Sequence, residues 1–158
     1  MKKIFLLAVL SFSIFSPAFA EKIPVKIAPA QAFSTHHDEV QIGDWINFET
    51  VNDVYNGDKL YIKKGTRVIG VVDFVHDNGW LADSAEITLK EFLTVDANNK
   101  KVEIPYTIKI KGNEFVENEK RQCLTYIAYA FQSLAFFLRG PEIYIEPDKK
   151  VFNIFIER

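Results

Sequence analysis

Side chains that can ligate a metal lie together in one short stretch of the chain. His36, His37 and Asp38 are consecutive, Glu39 follows them, and His76 is the remaining histidine. Imidazole nitrogens and carboxylate oxygens bind zinc, but a site needs three or four converging groups. Adjacent polar residues in a loop are more often solvated than ligating. We therefore expect neither a metal centre nor another cofactor, and keep these residues only as an alternative.

Three aspartates that could act in acid–base catalysis lie near one tryptophan in the sequence. Asp73, Asp77 and Asp83 flank Trp80, and paired carboxylates are the groups that hydrolyse glycosides. Acidic residues in turns more often hydrogen-bond the backbone. The chain also lacks Gly-x-Ser-x-Gly, His-Glu-x-x-His and a phosphate-binding glycine loop. The sequence therefore predicts a protein that is not an enzyme, with an exported hydrolase as the weakest alternative.

The first twenty residues have the pattern of a secretory signal peptide. Lys2 and Lys3 precede a short apolar stretch, Ile4 to Leu10, and Ala18-Phe19-Ala20 matches a cleavage site. We expect cleavage after Ala20 and a single domain over 21–158. In a cell with two membranes, the mature protein is then periplasmic or associated with the outer membrane.

Charge and cysteine content narrow the possible partners. The chain has 19 basic and 21 acidic residues; without Lys2 and Lys3, 17 basic residues remain and the net charge is about −4. Such a balance disfavours nucleic acid as a partner. Cys123 is the single cysteine, so no disulfide forms within the chain, and we expect it to be a small core residue.

Turn residues separate short runs of strand-forming residues. The clearest run is Lys101–Lys111, in which Val102, Ile104, Tyr106, Ile108 and Ile110 alternate with polar residues. Pro105 within it predicts an edge or a bulge. The other predicted strands are Ile23–Ala28, Trp45–Val51, Lys59–Lys63, Thr66–His76, Ser84–Val95, Glu142–Glu146 and Val151–Glu157. This spacing predicts a mainly β fold, an antiparallel small barrel or sandwich, with Trp45 and Trp80 in the core or an interface.

One apolar helix is predicted before the last strands. Residues 123–138 carry no charge, and Gly140-Pro141 is a helix stop, so we expect a helix over about 119–139. The uncharged stretch spans about 24 Å, which is less than the roughly 30 Å of a bilayer core. A helix that is apolar on all sides lies in a core, in lipid or in an assembly. The residues predicted to form its contacts are Tyr126, Ile127, Tyr129, Phe131, Leu134, Phe136 and Phe137.

Two glycines interrupt the β-rich stretch KLYIKKGTRVIGVV at residues 59–72. Gly65 follows two lysines, and we expect it to form a corner with positive φ. Gly70 lies inside a predicted strand, where it permits a bulge or a sharp bend in a curving sheet.

Three segments resemble a known family when taken in order. They are DVYNGDKLYIKKGTRVIGVV at 53–72, ITLKEFLTV with VEIPYTIKI at 87–110, and GPEIYIEPDKKVFNIFIER at 140–158. Together they resemble the C-terminal β-barrel domain of the TrbI-like channel subunit of type IV secretion and conjugation systems, or a related stand-alone exported β-barrel domain. The family has proline where this chain has Lys63, and glycine where it has Asp148.

The resemblance implies a barrel with a helical insertion that assembles in the envelope. We therefore expect a non-enzymatic assembly or channel-like module at the periplasm or outer membrane. Its partners are other envelope proteins or further copies, with possible membrane contact through 124–138. The alternative is a soluble periplasmic binding or adaptor domain in which the helix only completes the core.

Overall fold

The strands follow the alternating runs of the sequence. The computed structural model describes residues 22–36, 39–81, 83–112 and 139–157. Within this part the strands are β1 (Lys22–Pro29), β2 (Phe33–Ser34), β3 (Trp45–Thr50), β4 (Val54–Asn56), β5 (Lys59–Ile62), β6 (Arg67–His76), β7 (Glu86–Val95), β8 (Lys101–Ile104), β9 (Ile108–Lys111), β10 (Tyr144–Ile145) and β11 (Phe152–Glu157). The prediction of a mainly β protein is confirmed.

The main sheet of the described residues is antiparallel and nearly closed on itself. Its order is β11-β1-β3-β6-β7-β8, and β9 pairs with β7 beside β8. The first and last of these strands in the chain are neighbours, since Lys22 pairs with Glu157. Tyr106, just after β8, packs on Phe155 of β11 with ring centroids 5.7 Å apart. The two ends of the sheet therefore approach each other, and the architecture is that of a small barrel.

Two short pairs of antiparallel strands lie outside the main sheet. β4 and β5 form a hairpin around Gly57, whose φ is +60°, and Asn-Gly is a residue pair typical of such tight turns. β2 pairs with β10, with Ser34 opposite Tyr144. No strand is predicted between Ile23–Ala28 and Trp45–Val51, so β2 is an addition to the predicted strands. Its partner is more than a hundred residues away in the chain, so local sequence gives no signal for it.

The single strand predicted over Lys101–Lys111 is two strands. β8 and β9 both pair with β7 but are separated by Pro105–Thr107. Pro105 has no N–H to donate to the ladder, and opposite the break Glu91 of β7 takes a φ of +55°. The predicted faces are nevertheless right: Val102, Ile104, Ile108 and Ile110 are buried and their polar neighbours are exposed.

Phe48 of β3 lies at the centre of the barrel core. Its ring makes edge-on contacts with Phe33, Phe92 and Phe152, at centroid distances of 6.4, 6.0 and 6.1 Å. Such geometry suits the charge distribution of aromatic rings. The four rings come from β2, β7, β11 and β3 itself, so one cluster joins the main sheet to the β2–β10 pair.

Candidate functional site

The two glycines of the stretch 59–72 have different structural roles. Gly65 lies at a corner with φ of +75°, and its N–H donates to the carbonyl of Thr50 over 2.8 Å. Gly70 lies opposite Ile46 of β3, where the pairing of β6 with β7 shifts register. A Cβ built on Gly70 would lie 2.7 Å from Cε1 of Phe92. Gly65 is therefore required for its positive φ, whereas Gly70 is required because a larger side chain would collide with Phe92.

The residues considered as metal ligands do not converge in the described part of the chain. His36 Nδ1 lies 2.9 Å from Glu142 Oε2, while His76 Nε2 lies 2.8 Å from Asp83 Oδ2. His37 and Asp38 lie outside the described residues. Among the residues that the structure does describe, no three histidine, cysteine or carboxylate side chains form a group that could hold an ion.

The three aspartates near Trp80 are engaged by separate partners. Asp73 forms an ion pair of 2.6 Å with Lys90, and Asp77 accepts the N–H of Asn78 over 2.7 Å. Asp83 is paired with His76. Each of these carboxylates has a different partner, and these contacts add no support to the hydrolase alternative.

Both tryptophans are on the surface, so the expectation of a place in the core is wrong and the alternative expectation, an interface, stays a prediction. Trp45 and Trp80 are each 67% exposed. Trp45 begins β3 on the face that also carries Asn47 and Glu49, while Ile46 and Phe48 point into the core. An exposed tryptophan is uncommon because it forgoes the burial of a large apolar surface. Trp45 therefore marks a candidate binding surface.

A groove of about 250 Å³ lies beside Trp45. We call it the acidic groove and define it by Gln31, Glu39, Asp44 and Trp45, beneath which lie the buried side chains of Phe33 and Val40. Drug-sized ligands and cofactors occupy pockets of about 300–1,000 Å³. The acidic groove is smaller than that, and its size suits a single long side chain.

Backbone contacts fix the loop that supplies Asp44. Gly43 has φ of +91° and donates its N–H to the carbonyl of Val72 over 2.8 Å, while the N–H of Val72 donates to the carbonyl of Asp44. The Asp44 carboxylate accepts the N–H of Gln41 over 2.7 Å. A carboxylate has about four acceptor positions, so this one bond leaves Asp44 able to accept from a ligand.

A chain of side-chain hydrogen bonds orients Gln31. Arg67 Nε donates to Asn47 Oδ1 over 2.8 Å, and Asn47 Nδ2 donates to Gln31 Oε1. Guanidinium groups only donate, which requires the Asn47 oxygen to face Arg67 and its NH₂ to face Gln31. The oxygen of Gln31 thus accepts from Asn47, and its NH₂ is the donor end of an amide in a residue that lines the groove.

A second notable region joins the two flanks of the segment 113–138. Ala85 donates its N–H to the Pro141 carbonyl over 3.1 Å, and its own carbonyl accepts the N–H of Gly112 over 2.8 Å. A Cβ built on Gly112 would lie 2.2 Å from the Pro141 oxygen. We call this region, Gly112 with Ala85 and Gly140-Pro141, the insertion junction. It shows that the chain leaves and rejoins the barrel at one place.

The loop between β6 and β7 holds the returning side of the insertion junction. Gly140 donates its N–H to the carbonyl of Gly79 over 2.9 Å, and its own carbonyl accepts from Asn78 Nδ2 over 2.7 Å. Arg139 forms an antiparallel bridge with Trp80. The expected helix over about 119–139 lies outside the described residues except at Arg139, which is in this bridge and not in a helix.

The predicted contact residues of that helix also lie outside the described part of the chain. They are Tyr126, Ile127, Tyr129, Phe131, Leu134, Phe136 and Phe137. In the part that is described, no helix has the length and apolar character that crossing a membrane requires. The prediction for 124–138 therefore rests on its sequence and on the position of the insertion junction.

Comparison with known proteins adds no relative. No protein-family model matches the chain, and neither a curated protein nor a solved structure matches it.

Proposed function

We propose that the protein is a non-enzymatic, exported β-barrel module of the cell envelope, which acts as an assembly or channel-like component at the periplasm or outer membrane. The segment 124–138 is its element of contact with other copies, other envelope proteins or a membrane. The insertion junction is the observation that carries this proposal. Because Gly112 and Pro141 are in contact there, the barrel strands on either side do not need the segment to connect them.

The geometry of the insertion junction bears on what the segment does. Gly112 and Pro141 are in contact, so the barrel needs no long connection between β9 and β10. The stretch 123–138 has no charged residue, and such a stretch is costly to leave in water. A segment that is unnecessary for connection yet strongly apolar is suited to contact with a partner.

The family resemblance supports the same function. Its helical insertion precedes the last motif, as 113–138 precedes 140–158 in this chain. Asp148 replaces a family glycine, and its φ is +58°, in the left-handed region that glycine favours and aspartate tolerates. The backbone at this position is therefore compatible with the family pattern, although the residue is different.

Replacing 113–138 by a short Gly-Ser linker tests the proposal directly, because its flanks already touch. We expect the shortened protein to fold as a soluble monomer, with a cooperative thermal transition close to that of the full chain. The full chain, by contrast, should self-associate or resist an alkaline wash of the outer-membrane pellet. Sedimentation and circular dichroism measure both properties.

Charge substitutions within the full-length segment provide a matched control. Phe131→Glu and Phe136→Glu should abolish association without unfolding the barrel, whereas Tyr55→Glu, on the exposed β4–β5 hairpin, should change neither property. If both the linker protein and the Phe131→Glu protein fail to fold, 113–138 completes the core and the proposal is wrong.

A second candidate function is a soluble periplasmic binding or adaptor domain. The acidic groove beside the exposed Trp45 favours it, since the groove is lined by an aromatic residue and by two carboxylates that form no ion pair with another described residue. Protein found wholly in the soluble periplasm as a monomer, with a shortened form that does not fold, would establish this candidate in place of the first.

A further inference from the structure

The acidic groove has the charge of a site for a cation. Glu39 and Asp44 both line it, and among the ion pairs between described residues none involves either carboxylate. Other carboxylates of the surface, such as Asp73 and Glu86, do have a lysine partner. The groove therefore presents two acceptors that the described part of the barrel does not neutralise.

Trp45 adds an aromatic wall to the same groove. Its side chain is 67% exposed although it begins a strand of the main sheet. The face of an indole ring attracts a cation more strongly than the ring of tyrosine or phenylalanine does. Carboxylates and an indole together favour a guanidinium or ammonium group over an anion or a purely apolar group.

The size of the groove and the side-chain amide of Gln31 narrow the class of ligand further. A volume of about 250 Å³ holds about eight waters at roughly 30 Å³ each, which is the space of one long side chain. The NH₂ of Gln31, left as a donor by the bond from Asn47, suits a backbone carbonyl next to that side chain. A residue within a polypeptide offers both groups, while a free amine offers only the cation.

We infer that the acidic groove binds a lysine or arginine side chain of a partner polypeptide, with the cationic group between Glu39, Asp44 and the indole of Trp45. None of the residues that define the groove belongs to the segment 124–138, and the inference does not depend on the association proposed for that segment. It gives the barrel a second contact, specific for a basic residue in an exposed partner segment.

Tryptophan fluorescence in a Trp80→Phe background tests this inference, because Trp45 is then the single tryptophan of the chain. The probes are acetylated and amidated Gly-Arg-Gly and Gly-Lys-Gly, with Gly-citrulline-Gly as the uncharged analogue of the arginine peptide. We expect saturable changes in Trp45 emission with a Kd of about 1 mM for the two basic peptides. Binding should weaken as salt is raised from about 0.05 to 0.5 M.

Matched variants separate the site from general attraction between opposite charges. Asp44→Asn keeps an acceptor for the N–H of Gln41 and should weaken binding of Gly-Arg-Gly about fivefold, as should Glu39→Gln. Glu49→Gln removes the same charge on the same face of β3 and should leave the Kd unchanged. Circular dichroism confirms that each variant is folded.

Four results would overturn the inference. The first is a citrulline peptide that binds as tightly as the arginine peptide, and the second is a Glu49→Gln variant that weakens binding as much as Asp44→Asn does. Either of these two results would show that the acidic groove does not recognise the positive charge of the peptide. The third is free methylguanidinium that binds as tightly as Gly-Arg-Gly, which would show that the polypeptide backbone does not contribute to binding. The fourth is the absence of any saturable change in emission up to about 20 mM peptide, which would show that the groove does not bind a basic side chain.

Discussion

Replacing Gly70 by alanine places one methyl group in the centre of the barrel. The new Cβ would lie 2.7 Å from Cε1 and 3.2 Å from Cδ1 of Phe92, and 3.3 Å from Cε2 of Phe48. Both rings are fully buried, and they contact each other edge-on. Neither ring can move without disturbing the aromatic cluster, so the substitution forces a repacking of the core.

The expected cost follows from the packing and from the unfolded chain. Inserting a methyl group into a well-packed core costs about 1–3 kcal/mol, and restricting the unfolded backbone returns about 0.4–1 kcal/mol. We expect a net loss of about 1–2 kcal/mol, or roughly 4–8 °C in Tm for a domain of this size. Gly65→Ala should cost a similar amount, about 1–2 kcal/mol, but solely through its φ of +75°, since nothing lies within 4 Å of its Cβ.

A double-mutant cycle with Phe92→Leu distinguishes these two causes. Leucine has no ring carbon at the position of Cε1, so Gly70→Ala should cost at least about 1 kcal/mol less in the Phe92→Leu background. Gly65→Ala should cost the same in both backgrounds, within about 0.5 kcal/mol. Urea denaturation measures all the free energies of unfolding. Additivity between Gly70 and Phe92 would refute the assignment of Gly70 to ring packing.

Two further predictions concern the end of the barrel at the insertion junction. Lys109 donates a hydrogen bond to Glu86 over 2.7 Å, which holds the pKa of that carboxyl below its ordinary value of 4.5. The stabilisation from this ion pair is therefore present above pH 4.5 and is lost as the pH falls through the lowered pKa of Glu86. Glu86→Gln should lower the free energy of unfolding by about 0.5–1 kcal/mol at pH 7 and should not change it in strong acid. An equal loss at both pH values, measured by urea denaturation, would contradict this prediction. Gly140→Ala would place a Cβ 1.8 Å from the Asp83 carbonyl oxygen and should lower the free energy of unfolding by at least about 3 kcal/mol. An unchanged Tm would show instead that the backbone of the insertion junction can shift at little cost.

The local features of the fold could be predicted from the sequence because they depend on near neighbours. The alternation in Lys101–Lys111 places the correct residues inside, and Asn56-Gly57 forms its turn. The position of Pro105 predicted an irregularity there. The order of the strands in the sheet could not be predicted, because the pairing of β1 with β11 and of β2 with β10 joins opposite ends of the described chain.

The candidate site was harder to predict, and one available signal was missed. Trp45 shares the period-two face of Asn47 and Glu49, a polar face, and that pattern indicates an outward tryptophan. The acidic groove itself could not be inferred. Glu39 and Asp44 both come from loops; Asp44 directly precedes Trp45 in the chain, but only the folded structure brings Glu39 into the same groove as these two residues.

The pairing of β1 with β11 has a consequence for how the chain reaches its native state. β11 supplies the buried side chains of Phe152, Ile154 and Ile156, and its residues are among the last of the described chain. The core stays open until this strand arrives, and contacts between such distant parts of a chain form slowly. A chain that stops before β11 presents the open edge of β1, which can accept a strand from another molecule. Strand exchange between copies is therefore the expected product of truncation or of incomplete folding.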